Sequence, residues 1–191
     1  SQLPPVIRNT WKRILYGSAG CIAVSDTLAA ALRKRFPGLP VSVIPNVVDT
    51  SVFYPRTASV VPHRFIHISG MDDFKDPASL FKAFRTVLNT VPDAELHIYG
   101  TASPQMKELA EGTGITPAVS FHAEVPQPEL ADAMVTAAAL ILYSRYETFG
   151  CVIIEANACG VPVIVSDLPV FRESVEQGVN GLLAAPGDPA A

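Results

Sequence analysis

The sequence predicts an α/β fold in which a Rossmann-like parallel sheet carries helices on both faces. From residue 64 onward, short apolar runs alternate about five times with helix-like stretches, which is typical of β-α units around a parallel sheet. Several of these runs are apolar at consecutive positions, as a strand covered on both faces requires. The 191 residues are enough for one large domain, or for one domain with part of another.

Strands and helix starts can be assigned along this block. The predicted strands cover residues 64–69, 95–100, 118–121, 139–143 and 161–166. Two intervening helices have clear start signals, since Asp76 precedes Pro77 and Ser103 precedes Pro104. Each pair places a capping side chain directly before a proline at the first helical position. A further helix over residues 150–159 ends just before a glycine, which favours termination there.

Ahead of this block the sequence predicts a smaller β-α-β piece. Residues 21–25 and 41–44 have the composition of strands, and they flank an amphipathic helix over residues 26–36. This arrangement indicates the end of a separate structural unit.

A segment without periodicity, residues 45–62, separates the two blocks. It is rich in Pro, Val, Thr and Ser, which is typical of a connection between structural units. We therefore expect residues 1–44 to be the tail of one domain and residues 63–191 to form most of a second, truncated at its end.

Composition and charge argue against several classes of protein. Hydrophobic residues make up 49% of the chain, but their runs fall far short of the roughly 20 residues of a membrane span. A net charge of -4 without a basic block argues against a nucleic-acid partner. Cys21, Cys151 and Cys159 form no Cys-x-x-Cys pair and lie in apolar stretches, which predicts buried thiols. Together with the lack of a recognisable secretory signal, this favours the cytoplasm.

Candidate ligand-binding residues follow the predicted strands, because open α/β sheets bind ligands beyond the carboxyl ends of their strands. The segments in question are residues 70–75, 100–101 and 144–150. Gly150 at a helix start allows the backbone to approach a ligand closely. The free N–H groups of the first helical turn then attract negatively charged oxygens such as those of phosphate.

Three charged side chains accompany these segments. Glu147 precedes the helix and Glu155 lies about a turn and a half inside it, so the two can reach different parts of one elongated ligand. Carboxylates accept hydrogen bonds from sugar and ribose hydroxyls, whereas Lys75 is a cation suited to phosphate. Together these features describe a nucleotide sugar.

Each of these residues also has a simpler interpretation. Glu147 can be an exposed glutamate favoured by the helix dipole, and Lys75 can be a solvated loop lysine. Glu155 is harder to explain in this way, because it lies in an otherwise apolar helix where an unpaired acid is costly. Residues 72–73 are expected to form a turn, and the histidines lack the close spacing of a metal-binding pair.

Residues 147–155 read ETFGCVIIE, and this segment resembles the E-x7-E signature of retaining GT-B glycosyltransferases, in particular the family-4 type, also called group 1. Further segments resemble the same family in the same order along the chain. They are the last strand of the N-terminal domain at residues 22–25, the interdomain connector from residue 44, and the segments 155–163, 173–181 and 187–188. The ordered set covers nearly the whole chain and is a much more specific signal than the signature alone.

The resemblance implies a two-domain protein whose C-terminal half binds the donor and whose N-terminal half binds the acceptor. Glu147 would then contact the donor sugar, Glu155 the ribose and Lys75 the diphosphate, so that Glu147 and Lys75 are the expected catalytic residues. The implied donor-binding residues are Glu155, Thr148, Phe149, Gly150, Cys151, Gly70 and Gly100.

The same resemblance implies a reaction, namely transfer of a hexosyl group from a nucleotide-diphosphate sugar to an acceptor hydroxyl with retention of configuration. No metal or other cofactor is expected, because Lys75 and backbone amides would take the place of the metal. The acceptor would be a carbohydrate, a lipid-linked compound or a small molecule. Peripheral membrane association through the remainder of the N-terminal domain is compatible with this assignment. The chain alone, with little of that domain, is expected to be inactive.

The sequence departs from the family pattern at three places, one of which is the glycine-rich turn after the second strand, reduced here to residues 100–102. Where the family often has Gly-Arg-Leu, this chain has Met71 after Gly70, and where it has Lys-Gly, this chain has Asp76 after Lys75. Either Lys75 works with another cation, for which Arg145 is the candidate, or donor binding is weaker. Two alternatives to an enzyme therefore stay open: a non-catalytic nucleotide-sugar-binding or scaffold protein, and an α/β regulatory domain with a coincidental match.

Overall fold

The computed structural model describes residues 5–100 and 103–185. The chain divides into two compact units, Ser1–Asn46 and Val47–Ala191. None of the helices in the described ranges combines the length and the apolar character needed to cross a bilayer.

The first unit is a β-α-β piece with an additional helix before it. Its elements are α1 (Pro5–Gly17), β1 (Cys21–Ala23), α2 (Asp26–Arg35) and β2 (Val41–Val43). As predicted, α2 connects β1 to β2, which pair in parallel. The Ser25 side chain begins α2 by accepting a hydrogen bond from the Leu28 amide, 3.1 Å away. α1 is not among the predicted elements, and its termini carry none of the charged residues that commonly mark helix ends.

The second unit is built on a parallel sheet. Its strands are β3 (Arg64–Ile68), β4 (Glu95–Tyr99), β5 (Val119–His122), β6 (Ala139–Leu142), β7 (Val163–Ser166) and β8 (Gly181–Ala184). They form a six-stranded sheet of order β5-β4-β3-β6-β7-β8, and all neighbouring strands are parallel. The order changes direction between β3 and β6, so the loops after these two strands leave the sheet at its topological switch point.

Helices connect these strands. They are α3 (Pro77–Thr90), α4 (Pro104–Thr113), α5 (Gln127–Met134) and α6 (Cys151–Ala158). Both predicted caps are confirmed, because Asp76 accepts a hydrogen bond from the Ser79 amide and Ser103 accepts one from the Met106 amide. Short 3-10 turns lie at Asp73–Lys75, Thr116–Ala118 and Phe171–Glu173.

Hydrophobic cores lie on both faces of the sheet, which confirms the predicted Rossmann-like arrangement. On one face α5 and α6 pack against the strands, and Ile153 of α6 is fully buried there. On the other face α3 and α4 pack, with Phe81 of α3 fully buried. Successive residues of β6 alternate between the two, since Leu140 and Leu142 belong to the first core and Ile141 contacts the second.

The segment predicted as a connector, residues 45–62, contains neither helix nor strand. From Val47 onward it belongs to the second unit, and Phe53 is only 1% exposed within the core beneath α6. The amides of Val52 and Phe53 donate to the carbonyl of Asp49, which turns the chain and directs the ring inward. Part of this segment is therefore anchored by hydrophobic burial.

We expect Phe53→Ala to lower the free energy of unfolding of the second unit by about 3–5 kcal/mol, the usual cost of truncating a buried aromatic ring. Urea unfolding followed by circular dichroism measures this change. Phe74→Ala is the matched control, since the same truncation removes a ring that is 59% exposed. Equal losses for the two variants would contradict the anchoring role of Phe53.

Candidate functional site

The loop after β3 carries Lys75 on a short 3-10 turn. The Asp72 carboxylate begins this turn by accepting hydrogen bonds from the amides of Phe74 and Lys75, at 3.0 and 3.2 Å. The prediction that residues 72–73 form a turn is therefore confirmed. Met71 before the turn and Asp76 after it have φ angles of 52° and 42°, a left-handed conformation that is unfavourable for residues other than glycine.

A buried histidine supports the start of this loop. The Met71 amide donates to Ser69 Oγ at 3.0 Å, Ser69 Oγ lies 2.6 Å from His67 Nε2, and His67 Nδ1 lies 2.9 Å from the Ile141 carbonyl. Burial lowers the pKa of His67 to about 4, so its ring is neutral at neutral pH. These contacts assign the proton to Nδ1, which donates to Ile141, while Nε2 accepts from the Ser69 hydroxyl. This chain of three hydrogen bonds, called the His67 relay below, joins the loop after β3 to strand β6.

Glu147 lies in the loop after β6, and its carboxylate forms an ion pair with the Lys75 ammonium. The two side chains are only 14% and 18% exposed, so neither is the solvated surface group of the simpler interpretation. Burial lowers the pKa of Lys75, and the Asp72 carboxylate acts in the opposite direction. The structure thus brings the two predicted catalytic residues into contact at the switch point.

Arg145 is not placed as the second phosphate cation considered above. Its Nε and Nη2 donate to the two carboxylate oxygens of Asp76, both at 2.9 Å, and its amide donates to the Phe74 carbonyl at 2.7 Å. Burial opposes ionisation of Asp76, but hydrogen bonds from Arg145 and Ser79 outweigh it and hold the pKa of this carboxyl below its usual value. Arg145 therefore fastens its own loop to the loop that carries Lys75.

The α6 helix begins directly after Glu147 and its neighbours. The Thr148 amide lies 3.3 Å from Glu147 Oε2, and Phe149 is half-buried. Gly150 has a φ of 90°, and a Cβ there would lie 2.9 Å from the Phe171 ring, so both backbone and packing require glycine. Cys151, the first residue of α6, is exposed, so the prediction of a buried thiol is wrong at this position.

The other two thiols differ from each other in burial. Cys21 is half-buried, so the prediction of a buried thiol holds in full only at Cys159. Burial raises the pKa of the Cys159 thiol.

Glu155 is half-buried on α6, and no hydrogen bond or ion pair to its carboxylate forms within residues 5–100 and 103–185. Burial raises the pKa of Glu155, as expected for a carboxyl in apolar surroundings. The sequence singled out this acid as the most difficult to explain as a structural residue, and its environment agrees with that reasoning.

Gly70 and Gly100 line one cleft of about 280 Å³ at the carboxyl ends of β3 and β4. Gly100 has a φ of 135°, and a Cβ there would lie 2.2 Å from the Ser69 carbonyl oxygen, so only glycine fits. The cleft also includes Tyr99, Glu124 and Val125, which the sequence analysis did not select. The last two follow strand β5, so the rule applied to the other strands could have found them.

Among the described residues, no group of three or more His, Cys, Asp and Glu side chains could hold a metal ion.

Comparison with known proteins identifies the family. The sequence profile of the family described as "Glycosyl transferases group 1" matches residues 62–191. The chain belongs to this family. A D-inositol 3-phosphate glycosyltransferase from Thermobispora bispora is 38% identical over 190 residues, which cover 88% of this chain and 44% of the relative. The enzyme of the same name from Arthrobacter sp. is 29% identical over 90% of this chain and 45% of its own length. The chain thus spans less than half the length of these relatives.

Solved structures agree with the GT-B fold. Sucrose-phosphate synthase from Thermosynechococcus elongatus superposes with a TM-score of 0.86 at 25% identity, covering 98% of this chain and 50% of that one. HepE from Anabaena, solved in complex with UDP and glucose, gives a TM-score of 0.84 at 21% identity, covering 98% and 55%. The second match bears on the fold alone.

We expect Glu155→Gln to raise the free energy of unfolding at neutral pH. Because burial raises the folded-state pKa of this carboxyl, its contribution to stability is present below the unfolded pKa and is lost as the pH rises through the folded value. The variant should therefore exceed the wild type at neutral pH and match it under acidic conditions, as measured by urea unfolding over a pH series. Glu111→Gln, on the exposed surface of α4, is the control. A stability difference that does not change with pH would contradict this prediction.

Proposed function

We propose that the second unit binds the donor of a hexosyl transfer, a nucleotide-diphosphate sugar. The observation that carries this proposal is the partly buried ion pair between Lys75 and Glu147 at the switch point of the sheet. It holds a cation suited to a diphosphate in contact with a carboxylate suited to sugar hydroxyls. A solvated pair would need no such explanation, but both of these side chains are largely withdrawn from water.

In this proposal Lys75 holds the diphosphate and stabilises it as the leaving group. Negative charge grows on the diphosphate as the bond between sugar and phosphate breaks, and a preorganised cation lowers the energy of that transition state. The amides at the start of α6, from Phe149 to Cys151, would provide further N–H donors for sugar or phosphate oxygens. With these groups in place we expect no divalent metal to be needed.

The carboxylates of Glu147 and Glu155 bind two other parts of the donor. Glu147 accepts hydrogen bonds from hydroxyls of the transferred sugar, and Glu155 accepts them from the ribose. The carboxylate of Glu155, which has no hydrogen-bond or ion-pair partner in the described part of the chain, supports this role, because a half-buried acid is expected to find a partner. The cleft beside Gly70 and Gly100 has the size and position for another part of the donor.

For the full-length protein we propose transfer of the hexosyl group to an acceptor hydroxyl with retention of configuration. The acceptor, which is a carbohydrate, a lipid-linked compound or a small molecule, is held by the N-terminal domain. The relatives named D-inositol 3-phosphate glycosyltransferase support a hydroxyl acceptor of this kind. We place the reaction in the cytoplasm, where nucleotide sugars and reduced thiols such as that of Cys151 would coexist.

One observation favours a second candidate, a non-catalytic protein that binds nucleotide sugars. Met71 stands where the family often has an arginine, and Arg145 is engaged by Asp76, so neither position supplies a second cation for the leaving group. Assay of the full-length protein on a panel of nucleotide sugars separates the two candidates. Release of nucleoside diphosphate that depends on acceptor supports the enzyme, whereas donor binding without turnover supports the second candidate.

The donor-site proposal is tested by titrating residues 1–191 with UDP, GDP and ADP in a calorimeter. UDP is tried first, since HepE and TarM of S. aureus were solved with it. We expect Lys75→Met to weaken nucleotide binding at least about tenfold, because it removes a charge-assisted hydrogen bond. Glu155→Ala should also weaken it, and EDTA should leave it unchanged.

Glu147→Gln should bind UDP at least as tightly as the wild type, because it frees the Lys75 ammonium, but should lose the added affinity of a UDP-sugar. The control is Lys107→Met, which removes an exposed lysine from α4. Failure of all three nucleotides to bind at millimolar concentration would overturn the proposed site. Unchanged binding in Glu155→Ala would remove Glu155 from it.

A further inference from the structure

Arg145 connects the loop that carries Glu147 to the loop that carries Lys75 through both its side chain and its backbone. Its guanidinium makes a bidentate pair with Asp76, the residue after Lys75, and its amide binds the carbonyl of Phe74, the residue before Lys75. Arg145 therefore holds in place the residues directly before and directly after Lys75. Next to them the rings of Phe74 and Tyr146 pack with centroids 6.2 Å apart, which adds a second contact between the loops.

Asp76 needs such support because of its backbone conformation. Its φ of 42° is one that glycine adopts freely, whereas a residue with a side chain adopts it at a cost. Asp76 is also only 4% exposed, so its carboxylate requires a partner. The Arg145 guanidinium supplies this partner, and the Ser79 amide supplies another hydrogen bond at 3.4 Å. These hydrogen bonds stabilise at Asp76 a backbone conformation that glycine would adopt without them.

The same geometry determines what Arg145 can contribute to a bound anion. Its charge is largely neutralised by the paired carboxylate, and its donors Nε and Nη2 point to Asp76 rather than to a ligand. Any effect of Arg145 on diphosphate affinity must therefore pass mainly through the position of Lys75 and Glu147.

We propose that Arg145 and Asp76 are positioning residues for the donor diphosphate, which hold Lys75 and Glu147 in contact without themselves binding the phosphates. This inference rests on the proposed donor site. It goes further in assigning a role to Asp76, which departs from the family pattern, and to its partner Arg145.

Asp76→Asn separates this proposal from a direct role of Arg145. The variant keeps a side chain of the same shape and releases the full positive charge of Arg145. If the pair acts by positioning, UDP affinity should fall about tenfold, the scale of coupling between contacting groups, despite the added positive charge. If Arg145 binds phosphate directly, UDP affinity should rise and become more sensitive to salt, which would overturn the proposal.

Arg145→Lys tests the same point from the other side, since lysine keeps the charge but loses the bidentate geometry. We expect it to weaken UDP binding to a similar extent. The matched control is Arg172→Lys, because Arg172 forms the same kind of bidentate pair with Asp167, at 2.6 Å for both bonds, outside the proposed site. UDP affinity that Arg145→Lys leaves intact, or that Arg172→Lys lowers as much, would contradict a specific positioning role.

A double-mutant cycle distinguishes positioning from general destabilisation. In a Lys75→Met background, Asp76→Asn should cause no further loss of UDP affinity, because the group being positioned is gone. An equal loss in both backgrounds would overturn the proposal. Should the single variants fail to fold, Arg145→Met combined with Asp76→Gly removes the buried charge and suits the left-handed turn. We expect this double variant to fold and still bind UDP about tenfold more weakly.

The outcome for the wild type keeps this inference distinct from the proposed function. A wild-type protein that does not bind UDP, GDP or ADP would overturn both. A wild-type protein that binds UDP while Asp76→Asn binds it more tightly would overturn the positioning role and leave the donor site standing.

Discussion

The ion pair between Lys75 and Glu147 depends on the adjacency of strands β3 and β6 in a sheet whose order reverses between them. All strands run parallel, so the loops after these two strands leave from the same edge and lie side by side. The pairing matters because burial alone lowers the pKa of Lys75. An adjacent carboxylate favours the ammonium form and so keeps a cation available in a site that excludes much of the water.

Several unfavourable features gather at this edge of the sheet. Met71 and Asp76 adopt left-handed backbone conformations, each at a cost on the order of 1 kcal/mol. Glu155 is half-buried, and among the described residues none forms a hydrogen bond or ion pair with its carboxylate. The two backbone conformations are held by the His67 relay and by Arg145, which both connect to the chain in or after β6. Such a concentration of strain and perturbed ionisation is typical of binding sites, where holding the binding groups ready for the ligand lowers the stability of the fold.

The strands of the sheet could be predicted because buried parallel strands appear in a sequence as short apolar runs, as in β6 and β7. Strand β8 was not predicted because it begins with Gly181, and glycine is a residue that disfavours strands. Glycine is needed there because a Cβ would collide with the Val163 carbonyl. Lys75 and Glu147 could be found because they follow strands. The partner of Arg145 could not, because the pairing with Asp76 arises only when β3 and β6 become neighbours.

The position of Met71 explains why the missing arginine is not simply a lost contact. Met71 is 4% exposed and packs in the core beneath α3 and α4, so in this loop conformation position 71 anchors the loop rather than facing a ligand. A guanidinium at the same place would be buried without a partner, at a large cost in desolvation. The proposed phosphate site therefore depends on one lysine together with backbone dipoles at the start of α6. Because dipoles act only at short range and in fixed directions, recognition in such a site depends more on the placement of the loops than on their net charge.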